Sequence, residues 1–407
     1  MKILVADYIY VLGSYLQNRA IAFTDTIQAV DSLNNLKKQY PNAEIITCEE
    51  NSVIYPGFIN THVHLEFSAN KTSLKYGNFM PWLDTVIEHR EDLVASCDNE
   101  LMLNECNEML NSGITTFGAI SSFGTELEVC EKTPQRVVFF NELIGSNAQY
   151  ADMLYGDFLE RLSASKSCDD DSLITAGIAI HSPYSVHPII LQKAVNLAKQ
   201  SSLPLCAHFL ESQCEREWLD RGEGELKLFF EKYFKTSVPV TDIDEFIHAF
   251  DSYPTHFTHA VQTTSSELEY LASKGHSIAH CPRSNRYLGC GRLPIEVLRE
   301  LDIKYSLATD GLSSNDSLNI FDELRAALML HHQAPIQELS RKLIESITSD
   351  AADILGLECG KIEVGKLADF AIVKLKEKPK REEEIALWTI IHSKRVSAIY
   401  INGKKHV

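Results

Sequence analysis

Pro56-Gly57-Phe58-Ile59-Asn60-Thr61-His62-Val63-His64 sets two histidines two residues apart at the end of an apolar, β-branched run. Residues i and i+2 of a strand face the same side, so both imidazoles can reach one metal ion. A lone His-X-His pair carries little, because a packed or surface histidine is the commoner occupant of such positions. Its weight comes from the rest of the chain. Ala207-His208-Phe209-Leu210-Glu211, Thr258-His259-Ala260 and Ala308-Thr309-Asp310-Gly311 each follow directly on an apolar segment. Strand ends that supply several histidines and an aspartate describe a metal site.

Outward from that stretch, short apolar runs recur at 53–60, 113–120, 136–144, 174–180, 203–207, 255–258, 277–279 and 304–308. Longer, more polar, helix-compatible segments lie between them, at 100–111, 188–200, 265–273 and 294–300. Strands alternating with helices pair in parallel. Eight such units predict an α/β fold, a TIM-like (β/α)8 barrel over 55–356, with its site at the C-terminal strand ends. His62, His64, His208, His259 and Asp310 all fall at those ends. Residues 1–54 and 357–407 carry further short strand-like runs, too few at either end to bury a face alone. Together they predict a small β-sandwich domain built from both chain ends. About 45 residues separate the strands of His208 and His259, a length suited to a lid or pocket wall, or to a helix pair on the barrel flank.

The formal net charge of -18, from 38 basic and 56 acidic residues in 407, argues against a nucleic-acid partner. Asp7 interrupts the first apolar run too early for a signal-peptide core, and no stretch has the length of a membrane span. Ten irregularly spaced cysteines without a Cys-X-X-Cys pair read as thiols of a reducing compartment, the cytoplasm. Barrel enzymes often assemble, so a homo-oligomer is compatible with the class, but no surface pattern specifies one.

These motifs resemble the amidohydrolase superfamily: Pro-Gly-Phe-Ile-Asn-Thr-His-Val-His at the first strand, His208-Phe209-Leu210-Glu211 at the fifth and Thr309-Asp310-Gly311 at the eighth. Gly360-Lys361-Ile362-Glu363-Val364-Gly365-Lys366-Leu367-Ala368-Asp369 resembles the family's return into its sheet domain. His280-Cys281-Pro282-Arg283-Ser284-Asn285-Arg286 and Asp310-Gly311-Leu312-Ser313-Ser314-Asn315 are similar to the branch that deaminates nucleobases and adenosine derivatives. Leu65-Glu66-Phe67-Ser68-Ala69-Asn70-Lys71 and Asp322-Glu323-Leu324-Arg325-Ala326 narrow the resemblance to the aminodeoxyfutalosine deaminases of menaquinone biosynthesis.

Three neutral imidazoles and one carboxylate suit Zn2+ or Fe2+, and such a site lowers the pKa of bound water toward neutrality. The resemblance implies His62, His64, His208 and Asp310 as ligands of one divalent metal, since the fourth strand ends Ala179-Ile180-His181 and offers no lysine to bridge two. His259 would hold the attacking water. Glu211, three residues past His208, suits a proton shuttle to the purine ring nitrogen N1, and Asp310 a proton relay to the leaving amine. The implied substrate is a small nucleoside, a 5′-modified adenosine converted to its 6-oxo form. Methylthioadenosine and S-adenosylhomocysteine are the nearest alternatives; cyclic amides and chlorinated heteroaromatic rings would use the same metal set.

Several positions are candidates for holding that substrate. His181 and Ser314 resemble substrate-binding residues of the adenosine-type deaminases, although a packed histidine also fits the former. Glu91 resembles the ribose-binding glutamate, with Glu88 one helical turn away, and Glu142 ends the third strand. A benzoate at the 5′ end asks for an arginine fork, Arg286 first and Arg283 second, either of which could instead form a structural pair. Trp82 and Phe67 could stack on the purine or fill the barrel mouth. His256, three residues before His259, is expected on the opposite strand face.

Overall fold

The computed structural model describes residues 1–70, 73–168 and 173–407; Lys71, which closes one of the motifs above, lies outside them. Eight strands, Phe58–Val63, Ile114–Ser121, Arg136–Leu143, Ile174–Ile180, Leu205–Phe209, His256–His259, Ser277–His280 and Tyr305–Leu307, form one sheet in sequence order. Every neighbouring pair is parallel. The eighth strand returns to the first: Thr61 and Ser306 share a hydroxyl hydrogen bond of 2.6 Å, and Asp310 N donates to His62 O at 3.1 Å. This is the expected (β/α)8 barrel. Helices Asn99–Asn111, Pro188–Ser201, Ser265–Ser273 and Ile295–Glu300 fall within a residue of the segments read as helical.

Both chain ends build the small domain. Strands Ile27–Asp31, Ala20–Phe23, Lys2–Val5 and Glu44–Thr47 make a four-stranded sheet. Lys404–Lys405, Ala398–Ile401, Phe370–Lys374, Ser52–Pro56, Tyr8–Val11 and Ser14–Leu16 make a six-stranded one. Leu4, Ile21 and Phe23 of the first sheet share a buried cluster with Ile54, Phe370 and Tyr400 of the second, so the sheets face each other as a sandwich.

The run 53–60, read as one strand, is two. Ser52–Pro56 pairs with Phe370–Lys374 in the small domain, crossing the expected 54/55 boundary, and the barrel begins at Phe58. Gly57 makes the passage, where a Cβ would lie 2.0 Å from Thr115 Oγ1, so only glycine fits between the two sheets. Continuous apolar character hid the break.

The long connection after the fifth strand folds into helices Gln213–Arg221, Glu225–Phe234 and Ile243–His248. Trp218 and Phe230 stack with centroids 5.3 Å apart, and Phe230 meets Tyr184 beyond the fourth strand. Among the described residues no helix is long and apolar enough to cross a membrane.

Candidate active site

At the C-terminal strand ends His62 approaches His64 and His208 with ring centroids 5.0 and 4.8 Å apart. Candidate ligand atoms of these three histidines lie within 4.8 Å of one another, as do those of Glu211, His259 and Asp310. Asp310 joins the two groups, since its Oδ1 is 3.6 Å from His62 Nε2 and 3.7 Å from His64 Nε2.

Among the described residues, all of these but His64 have a hydrogen-bonded neighbour behind them. His62 Nδ1 pairs with Thr258 Oγ1 at 3.2 Å, and His208 Nδ1 donates to the carbonyl of His181 at 3.0 Å. The carbonyl can only accept, so the neutral His208 ring keeps its lone pair on Nε2, and the Thr258 contact leaves His62 Nε2 free to face the site. His62 Nε2 is buried with no hydrogen-bond partner among the described residues, which in a polar pocket asks for a cation. Burial pushes the pKa of His64 down to about 4 and that of His208 well below the usual value, so the imidazoles are neutral donors. Burial opposes charge on Asp310, yet the adjacent His62, His259 and His64 rings hold its carboxyl well below the usual range. Three converging imidazoles and a carboxylate fit a divalent cation.

Asp310 is clamped by Ser284 Oγ at 2.7 Å and Ser314 Oγ at 2.8 Å on Oδ2, and by Gly311 N at 2.8 Å on Oδ1. A Cβ at Gly311 would come within 2.9 Å of His64 Cβ, so glycine lets the eighth-strand loop close on the first. Leu210, His259, Ala260 and Asp310 all hold positive φ, from 45° to 72°. Such backbone is sparsely populated for these residues and clusters here at the strand ends.

That twist corrects the placement of His256. Its Nε2 lies 3.1 Å from Thr61 Oγ1 across the barrel and 3.0 Å from Ser306 Oγ, so it faces the barrel interior. His259, at φ 72°, has left the strand alternation, and both rings turn inward.

Glu211 is buried, its Oε1 3.7 Å from His259 Nε2. Burial first, then Asp310 and Glu215, raise its pKa well above the usual range, which favours the protonated carboxyl a proton donor needs. Glu215 fixes it from behind, accepting the N–H groups of Glu211 at 2.8 Å and Leu210 at 3.0 Å. Burial pushes Glu215 itself up to about 7. His259 Nδ1 lies 2.9 Å from Asn285 Oδ1, which fixes Nδ1 as donor and turns Nε2 to the site. Burial first, and then neighbouring imidazoles against Asp310, bring His259 down to about 4.

The other candidates divide. Glu142 is 1% exposed; its Oε2 accepts from Ser122 Oγ at 2.6 Å, and its Oε1, 3.6 Å from His208 Nδ1, has no hydrogen-bond partner among the described residues. Ser314 serves Asp310. His181 is half-buried, with Nδ1 2.7 Å from Ser185 Oγ. Arg283 is spent on structure: Nε donates to Glu323 at 2.7 Å and the fork to Asp316 and Ser317 at 2.6 Å. Arg286 and Glu91 are exposed. Glu88 lies 3.8 Å from Lys232. Trp82 Nε1 donates to Ser313 O at 2.8 Å, tying its helix to the eighth-strand loop.

Sequence reasoning assigned no role to Thr258, Ser284, Asn285 or Glu215. Ser212 followed by Glu215 is a helix-start signature that pointed to the last; the others act across the barrel, where spacing carries no signal.

The amidohydrolase family model matches residues 53–405. An aminodeoxyfutalosine deaminase of Nitratiruptor sp. is 43% identical over 407 residues, 100% of each chain. An adenosine deaminase of Helicobacter pylori is 33% identical over 395 residues, 96% of this chain and 95% of its own. The crystal structure of Helicobacter pylori aminofutalosine deaminase in complex with methylthio-coformycin superposes with a TM-score of 0.95, at 32% identity and 100% coverage of both chains. Agreement of motif, whole-length similarity and superposition leads to one conclusion: the chain belongs to the amidohydrolase family.

Proposed function

We propose that this chain is a metal-dependent hydrolytic deaminase that converts 6-amino-6-deoxyfutalosine to futalosine and ammonia, a step of menaquinone biosynthesis. The observation that carries this reading is Glu211, a buried carboxyl 3.7 Å from His259 and grouped with Asp310 at the strand ends. His62, His64, His208 and Asp310 would hold one zinc or iron ion. When bound, the cation supplies Lewis-acid activation of water. Glu211 donates its proton to purine N1 as the water oxygen bonds to C6, which spares the ring a negative charge on nitrogen. His259 Nε2 orients the attacking water by accepting one of its protons in a hydrogen bond. Asp310 takes one proton from the water and passes it to the departing amine, so that ammonia leaves as the C6–N bond breaks, and the remaining proton on the C6 oxygen returns to Glu211 as the 6-oxo group forms.

A second reading, deamination of methylthioadenosine, is favoured by the methylthio-coformycin bound to the Helicobacter relative. Ultraviolet assays with aminodeoxyfutalosine, methylthioadenosine, S-adenosylhomocysteine and adenosine in parallel separate the two. Aminodeoxyfutalosine is expected to give the highest kcat/KM. A higher value for methylthioadenosine reverses the order of the readings, and inertness toward all four with metal bound sinks both.

A further inference from the structure

Helix Phe79–Ala95 presents two faces beside the barrel mouth. Leu83 and Ile87 pack on the core, and the helical spacing carries that stripe on to Arg90. Asp84, Glu88 and Glu91 continue the other face, which meets helix Glu225–Phe234: Lys232 Nζ lies 3.6 Å from Asp84 and 3.8 Å from Glu88. Arg90 takes a different partner. Its guanidinium stands over the Phe123 ring, 4.7 Å from the centroid. Arg90 is exposed, and among the described residues no hydrogen bond or ion pair engages it. Phe67 meets Phe123 edge-on, with centroids 6.5 Å apart at 69°.

Phe123 is joined to the site through its backbone. Glu66, two residues past His64, accepts the N–H of Ser122 at 3.1 Å and of Phe123 at 3.3 Å. Ser122 Oγ in turn bonds Glu142, which lies against His208. An unpaired guanidinium over one ring, with a second ring edge-on, matches a planar aryl carboxylate. The fork takes the two carboxylate oxygens and the phenylalanines flank the aromatic ring.

We propose that Arg90, Phe123 and Phe67 form the subsite for the aryl carboxylate at the 5′ end of the substrate. This subsite presupposes the deaminase reading above, and it moves the anion anchor from Arg286, after the seventh strand, to the helix after the first.

The test compares kcat/KM for aminodeoxyfutalosine with that for methylthioadenosine, which lacks the carboxylate, in wild type, Arg90→Ala, Arg90→Lys and Arg286→Ala. Arg90→Ala is expected to lower the ratio of the two by about 10- to 100-fold, mainly through KM, the loss of a charge-assisted bond. Arg90→Lys recovers part of it, and Arg286→Ala keeps the wild-type ratio. An unchanged ratio in Arg90→Ala, or the loss appearing in Arg286→Ala instead, overturns the subsite while leaving the deaminase standing. A wild type active on methylthioadenosine and inert toward aminodeoxyfutalosine overturns the substrate assignment and the subsite together.

Discussion

The floor of the site and its rim are held by different means. On the floor, buried partners orient the functional groups from behind: Thr258 behind His62, the His181 carbonyl behind His208, Asn285 behind His259, Glu215 behind Glu211 and two serines behind Asp310. At the rim, Arg90, Arg286 and Glu91 are exposed, and a ring face is what holds Arg90. The contrast follows from the work each does. Proton transfer and bond formation lose rate steeply with misplacement, so the groups involved sit on strand ends within a packed barrel. Recognition of a substituent far from C6 tolerates long side chains on a helix surface. On the proposed function, reaction type is carried by the floor and substrate choice by the rim.

Removing the metal should have the largest effect. Chelation is expected to abolish turnover, and added zinc or iron to restore it; full activity in metal-free protein, checked by elemental analysis, would break the contrast at its centre. Next is Glu211→Gln, which should keep the metal and lower kcat by about 10^2- to 10^4-fold, the range of general acid catalysis. Unchanged turnover there removes Glu211 as proton donor. Asn285→Ala frees the His259 ring, and a loss of about 10- to 100-fold is expected in kcat with KM nearly constant; a change confined to KM would move Asn285 to substrate binding. Ser314→Ala should cost less than about tenfold in kcat/KM, because Ser284 still donates to Asp310 Oδ2. Smallest is Glu88→Gln at the exposed pair with Lys232, expected to shift stability by less than about 1 kcal/mol in a thermal melt.

How far the site was legible depended on whether a residue's role was local or crossed the barrel. His62, His64, His208 and Asp310 announced themselves because each lies at or just past the end of an apolar strand. Glu142, from its place at the end of the third strand, and Ser314, from the resemblance, are expected to contact substrate; both are almost fully buried, and Ser314 Oγ is spent on Asp310. Arg283 and Arg286 look alike in sequence, three residues apart. Glu323, on a helix forty positions later, consumes the first and leaves the second in solvent.

Period and strand-end chemistry thus determined, from sequence alone, the barrel, the sandwich drawn from both chain ends and the set of histidines with their aspartate and glutamate. Alternation of strands and helices is a local pattern, and the donor types are intrinsic to the residues. Tertiary structure decided where the small domain ends, why His256 and His259 both turn inward, which polar groups orient the catalytic ones, and that Arg90 reaches Phe123. Those features rest on a glycine pressed between two sheets, a left-handed backbone at His259 and contacts between residues far apart in the chain. No periodicity encodes such contacts, because closing the barrel is what brings them together.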